Sequence, residues 1–292
     1  MKPLLVPTDF SKPAGNAAKY ALHLCKILKT DIYLCHAFLV PADAMGSAQT
    51  GWPLIDYSSL DKYYEEALDK LGDKLERYEK EIPDAGDYHP VISCSAESGN
   101  IVDVIDQQAA KNEPGMIVMG MSGAGAVSRF LIGSVSRSML QKASNPVLLI
   151  PQNIRFKKLK KIAFATDLND SDIEVINSFV PWIAFFDAEL VIAHIVDDMH
   201  DTLSHQNEVN AFVKDVGNKI NYDRIYFRRV DSHTIDEGLD WLAGHGHVDL
   251  LAMVHRQKGA LSMIFRTSHT RKLAGHIHLP LLVFPSGKHF TF

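Results

Sequence analysis

The chain carries one plan twice. "LLVPTDFSKPAGNAAKYAL" (Leu4–Leu22) lines up with "IAFATDLNDSDIEVINSFV" (Ile162–Val180), which sets Asp9 against Asp167, 158 positions further on. The same offset lays "IYLCHAF" (Ile32–Phe38) on "LVIAHIV" (Leu190–Val196) and matches His36 with His194. Near the ends of the copies, "NPVLLIP" (Asn145–Pro151) matches "LPLLVFP" (Leu279–Pro285) at an offset of 134, so the second copy is 24 residues shorter. The loss is expected after the second strand, where only the first copy has "PADAMGSAQTGWPLIDYS" (Pro41–Ser58). Self-similarity at this scale divides the 292 residues into domains at 1–151 and 161–292 with a linker at 152–160. The linker and its flanks, "PQNIRFKKLKK", hold five basic residues that read as a solvated face.

Within a copy, short apolar runs alternate with longer helical patterns. In the first, strands are expected at Leu4–Pro7, Asp31–Ala37, Tyr88–Ser93, Met116–Met119 and Val147–Ile150. Helices are expected at Pro13–Leu28, Ser59–Ile82, Asn100–Lys111 and Gly133–Lys142. Leu60, Tyr64, Leu68, Leu71, Leu75 and Tyr78 recur at spacings of three and four and mark one buried face of the second helix. Strands joined by helices of this length need right-handed crossovers. The fold class is therefore α/β, two tandem parallel sheets covered by helices on both faces.

Thirty basic against 35 acidic residues give a net charge of -5, which leaves no electrostatic footprint for nucleic acid. "MKPLLVPTDFSKP" is too short and too polar for a signal peptide or a membrane span. Cys25, Cys35 and Cys94 are odd in number and lack CxxC spacing, so reduced thiols in a cytoplasmic protein are expected.

"GMSGAGAVSRFLIGS" (Gly120–Ser134) follows the fourth strand and opens a helix. A Gly-rich strand-to-helix loop offers backbone N–H groups and a helix N-terminus to an anion, and also serves where a loop is simply tight. No GxxxxGK[ST] is present, and "GAGAVS" fails GxGxxG at its last position and follows the wrong strand for a dinucleotide fingerprint. What fits is Gly120-x2-Gly123-x9-Gly133-Ser134.

With that spacing, and with "VPTDFS" (Val6–Ser11), "LCHA" (Leu34–Ala37) and "NPVLLIP" in order around it, the whole chain resembles a tandem form of the universal stress protein family. The first copy resembles the family's ATP-binding branch. The resemblance implies five parallel strands per domain in the order 3-2-1-4-5, with a ligand crevice at the switch point between strands 1 and 4. It implies an adenine nucleotide as ligand: ATP, with or without a magnesium ion. Asp9 would accept hydrogen bonds from the ribose; Pro7, Thr8 and Ala37 would line the adenine; Met119 and Gly120 would border the ribose. Gly123, Gly133, Ser134 and Val135 would hold the phosphates, and Arg129 either reaches them or points to solvent. It also implies pairing of the two domains through their last strands, Val147–Ile150 and Leu281–Phe284, with further homodimerisation open.

The second copy departs from the pattern. Gly120, Gly123 and Gly133 become Val254, Gln257 and Thr267, Ser134 stays as Ser268, and Pro7 becomes Ala165, so no ATP site is expected there. Eleven of the 14 histidines lie beyond residue 190, including His245-x-His247 and His276-x-His278. Such pairs suit either a metal or ordinary helix-to-strand junctions. His36 and His194 read as core positions, and so do Trp182, Phe185 and Phe186. The resulting expectation is a regulatory nucleotide-binding protein of the cytoplasm, with no partner in membrane or nucleic acid. A slow ATPase or self-phosphorylating enzyme and a nucleotide-free scaffold stand as alternatives; no Glu or His in Gly120–Ser134 offers a general base.

Overall fold

A computed structural model describes residues 1–39, 57–82, 88–121, 133–196, 203–256 and 279–292. The first half runs β1 (Leu4–Pro7), α1 (Lys12–Leu28), β2 (Ile32–Phe38), α2 (Tyr57–Glu79), β3 (Ile92–Ser98), α3 (Ile101–Asn112), β4 (Met116–Met121), α4 (Ser134–Lys142) and β5 (Val147–Pro151). The second half runs β6 (Lys161–Thr166), α5 (Asp170–Ala184), β7 (Glu189–Val196), α6 (Leu203–Lys219), β8 (Ile225–Asp231), α7 (Ile235–His245), β9 (Leu250–His255) and β10 (Leu281–Pro285). Helix starts follow local chemistry: Ser11, Asn100, Asn169 and Thr234 cap α1, α3, α5 and α7 by accepting from amides of the first turn. Left-handed Lys29 and Glu113 close α1 and α3.

The ten strands form one sheet in the order β3-β2-β1-β4-β5-β10-β9-β6-β7-β8. Each half therefore has the order 3-2-1-4-5, parallel throughout. β5 and β10 pair antiparallel, Leu149 with Leu281 and Val147 with Val283. The repeat is visible in the register. Leu4↔Ile32 recurs as Ile162↔Leu190, and Leu4↔Met116 recurs as Ile162↔Leu250, at the 158 and 134 offsets read from the sequence. Ile32↔Ile92 recurs as Leu190↔Ile225, so the shortening lies between the second and third strands.

Period-two alternation sends side chains to opposite faces of this sheet. Leu4, Val6, Leu148, Ile150, Ile162 and Phe164 pack under α1, α2, α5 and α6. Leu5, Ile117, Leu149, Ala163, Leu251 and Val283 pack under α3, α4 and α7. The expected face of α2 is the packed one: Leu68 and Leu75 are buried, with Leu71 and Tyr78 against the same core.

Two expectations shift. The third strand is Ile92–Ser98, not Tyr88–Ser93. Tyr88 instead donates its hydroxyl to Asp31 Oδ1 (2.7 Å), and the Val91 amide donates to the same oxygen (2.9 Å), so this stretch anchors the strand's entry. Trp182 and Phe186 are in the core, but Phe185 is 47% exposed because it sits at the C-cap of α5, where the helical stripe ends. The segment 152–160 presents exposed lysines yet is pinned. Asn16 Nδ2 donates to the carbonyls of Pro151 (3.1 Å) and Ile154 (2.9 Å), Phe156 stacks on His23 at 4.8 Å, and Leu159 is fully buried.

Candidate functional site

The switch point between β1 and β4 opens a cavity of about 260 Å³ at the carboxyl ends of the strands. Pro7, Thr8 and Asp9 enter it from β1, Ala37 from β2, Met119 and Gly120 from β4, and Gly133, Ser134 and Val135 from the start of α4. Nine of the ten residues expected from the sequence thus line one space. The tenth, Gly123, lies outside the described residues, as does Arg129. Ile101 and Ile105, one turn apart on α3, form an apolar wall that sequence reasoning missed, although their i, i+4 spacing was there to read. Ser136, a buried polar residue on α4, also lines the cavity.

The β1–α1 turn that carries Asp9 is tightly determined. Thr8 N donates to Cys35 O (2.8 Å), and Thr8 Oγ1 accepts from Phe10 N (3.0 Å). Phe10 itself is left-handed, φ 60°, an uncommon conformation for an aromatic residue. His36 Nδ1 lies 2.7 Å from the Thr8 carbonyl, and its ring rests 4.7 Å from that of Phe10. Asp9 accepts from Ser11 N on Oδ1 (3.0 Å), and no donor among the described residues reaches its Oδ2. The hydroxyl of Thr8 is thus engaged in the turn.

The described glycines serve different purposes. A Cβ on Gly120 would stand 2.4 Å from the carbonyl carbon and oxygen of Pro13, so this glycine lets α1 cross β4 closely. Gly133 meets nothing within 4 Å of its Cβ position and caps α4 with no side-chain hydrogen bond. Among the described residues no side chain caps the first amides of α4, whose residues line the cavity, and no acidic residue occupies that turn. Orphan N–H groups at a helix N-terminus are suited to an anion.

At the corresponding turn of the second half, an arginine side chain reaches the aspartate. That turn is built alike: Thr166 Oγ1 accepts from Leu168 N (2.9 Å), Leu168 is left-handed at φ 62°, and His194 Nδ1 lies 2.9 Å from Thr166 O. There Arg256 donates from Nη1 to Asp167 Oδ1 (2.9 Å) and from Nη2 to Ser171 Oγ (2.9 Å) and to Asp172. Asp172 is fully buried and also accepts from the Thr166 hydroxyl (2.6 Å). Burial raises its pKa, and the opposing effects of Arg256 and Thr166 do not fully compensate. By the two offsets, Asp172 stands where the first half has Ala14 and Arg256 where it has Ser122. Val254, at the position of Gly120, is buried. Gln257, Thr267, Ser268 and the His276–His278 pair lie outside the described residues. Beside the crevice the imidazoles of His194 and His205 meet at 3.0 Å, Nε2 to Nε2. Among the described residues no group of three or more His, Cys, Asp or Glu side chains is placed to hold a metal ion, and no helix is long and apolar enough to cross a membrane.

Residues 1–151 match the universal stress protein family. Universal stress protein MJ0531 of Methanocaldococcus jannaschii is 28% identical over 149 residues, covering 51% of this chain and 81% of that protein. Universal stress protein MJ0577 of the same organism is 25% identical over 158 residues, covering 51% and 94%. Across both halves the fold is that of a universal stress protein from Archaeoglobus fulgidus, with a TM-score of 0.70, 18% identity and 98% of each chain covered. A family match over more than half of the residues, on a sheet of this order, places the chain in the universal stress protein family.

Proposed function

We propose that this chain is a stress-related regulator of the cytoplasm that binds one adenine nucleotide, ATP with or without a magnesium ion, in the first-half cavity, and that the second half has no such site. The observation that carries the reading is the convergence on one cavity of the Asp9 carboxylate, the apolar pair Pro7 and Ala37, and the uncapped start of α4. In this arrangement Asp9 Oδ2 accepts from the ribose hydroxyls, and the adenine lies against Pro7, Thr8 and Ala37, with Met119 and Gly120 beside the ribose. The phosphates meet the amides that follow Gly133 and the hydroxyl of Ser134, with Gly123 completing the loop. Hydrogen bonds to charged groups contribute about 1.5–3 kcal/mol each. A cavity whose described lining holds no Glu or His, and whose one carboxylate is engaged by the ribose in this reading, fits a switch in which occupancy, rather than turnover, is the signal. Arg256 supports the asymmetry, because in the second half it holds the aspartate that would otherwise face a ribose.

Calorimetry of ATP on the nucleotide-stripped chain tests this directly. The expected result is one ATP per chain, lost in Gly123→Val and weakened roughly tenfold to a hundredfold in Asp9→Ala. Absence of binding would overturn the proposal, and two sites per chain would overturn the assignment of the second half.

A further inference from the structure

The first turns of α1 separate two spaces. Ser11, Pro13 and Ala14 face the nucleotide cavity, while Lys12, Gly15, Asn16 and Lys19 face away from it into an open groove of about 740 Å³. Lys74, Arg77 and Tyr78 of α2 form the opposite wall, Leu71 and Leu75 lie along the floor, and Gln152 and Asn153 of the inter-domain segment close one end. The groove continues into a second space of about 300 Å³ through shared Asn16, Lys19 and Tyr78, which adds Arg155, His23 and Phe156. Among the described residues five cationic side chains thus line the continuous groove, against one carboxylate, Glu81. Among the described residues, none of Lys12, Lys19, Lys74, Arg77 and Arg155 forms an ion pair. Lys19 lies instead over the Tyr78 ring, 4.5 Å from its centroid.

We infer that this groove is a docking site for an acidic peptide segment of a partner protein. Cations without an ion pair among the described residues, in a protein of net charge -5, mark a local surface whose complement is an anion. Three observations favour a peptide over a nucleic acid or a polyphosphate. Half-buried Leu71 puts an aliphatic side chain on the floor, so an acidic segment carrying a leucine-like side chain matches it, and a chain of phosphates does not. The amides of Gln152 and Asn153 carry donor and acceptor together, the pattern of a peptide backbone. From Lys12 to His23 the α1 wall runs about 16 Å at the helical rise. That holds about five residues of extended peptide at roughly 3.3 Å each, and it is short for a duplex track. The proposal does not depend on nucleotide binding, since every group it uses lies outside the nucleotide cavity except through their shared helix.

The test uses the full, nucleotide-stripped chain and a fluorescein-labelled peptide of repeating Glu-Asp-Leu, read by fluorescence anisotropy. Saturable binding is expected, falling about tenfold or more in Lys19→Glu and again in Arg77→Glu, with urea midpoints unchanged. A Lys-Arg-Leu peptide should bind the double charge-reversed variant in preference to the parent chain. Lys74→Glu repeats the test should either variant lose its native circular dichroism. No saturable binding, binding indifferent to the charge reversals, or tighter binding of polyuridylate or polyphosphate than of the acidic peptide would each overturn the inference.

Discussion

Gly120 and Arg256 show how single positions divide two copies of one fold. Gly120 permits the backbone of Pro13 to approach β4, so Gly120→Ala must push α1 outward. Overpacking against backbone costs about 1–3 kcal/mol, and the displaced turn carries Asp9. Urea denaturation should show that loss, and ATP affinity should fall with it. Arg256 holds a buried carboxylate, and removing one partner of such a pair costs about 3–5 kcal/mol. Arg256→Met should therefore destabilise the chain strongly at neutral pH. The deficit should shrink on acidification, because burial already raises Asp172 and loss of the guanidinium raises it further. For a carboxyl raised on folding, the contribution to stability is complete below its unfolded value and is lost as pH rises through the folded one. Urea midpoints of both proteins from pH 7 down to pH 4 read this, and a deficit that grew at low pH would contradict it. The glycine spacing was legible in the sequence, yet the reason for Gly120 was not, because a close crossing depends on where another helix runs. The exchange of Ala14 and Ser122 for Asp172 and Arg256 could be read by carrying both offsets into the loops. Nothing local to either residue marks them as partners.

Among the elements, α1 and the segment after β5 carry more than their patterns announce. Asn16 ties α1 to Pro151 and Ile154, and Asp249 ties the next stretch to β9. Asp249 accepts from the amides of Lys160 (2.7 Å) and Lys161 (3.0 Å) and pairs with Lys157 at 2.7 Å. Burial would raise its pKa, but the hydrogen bonds from Lys157 and the two amides outweigh that and leave it lowered. A carboxyl lowered on folding adds stability above its unfolded value of 3.8, lost as pH falls through the folded value. Asp249→Ala leaves two amides without their acceptor and should cost about 1–3 kcal/mol. It should also flatten the acid end of the stability profile below pH 4, which thermal melts across pH 2–6 would show. An acid limb as steep as the parent's would exclude this role. Strands buried on both faces were easy to place from apolar runs, and β1, β4 and β5 begin where the runs do. β3 was not, because as an edge strand it exposes Ser93 and Cys94 and lacks a continuous apolar signal. The linker's lysines were legible as solvated, but its anchors, Phe156 and Leu159, are scattered among them and give no periodic pattern.

For the whole molecule, the repeat was legible in the sequence and the family resemblance implied the strand order of both halves, and the result is one sheet rather than two separated ones. Val147, Leu148, Leu149 and Ile150 are buried with β10 alongside, so β5 is an interior strand of this chain. The edges that remain are β3 and β8, and each carries charge along it, Glu97 on the one and Arg228, Arg229 and Asp231 on the other. Charged edges discourage further strand addition. Cutting the chain after Pro151 would return β5 to an edge with an apolar face and unpaired backbone groups. That edge is suited to the antiparallel partner it has lost, and a second copy of the same strand is the nearest substitute. Fragment 1–151 is thus expected to sediment as a dimer through β5, the strand that pairs with β10 in the full chain. A fragment that stays monomeric in sedimentation velocity would mean that β10 supplies no contact a second β5 can replace.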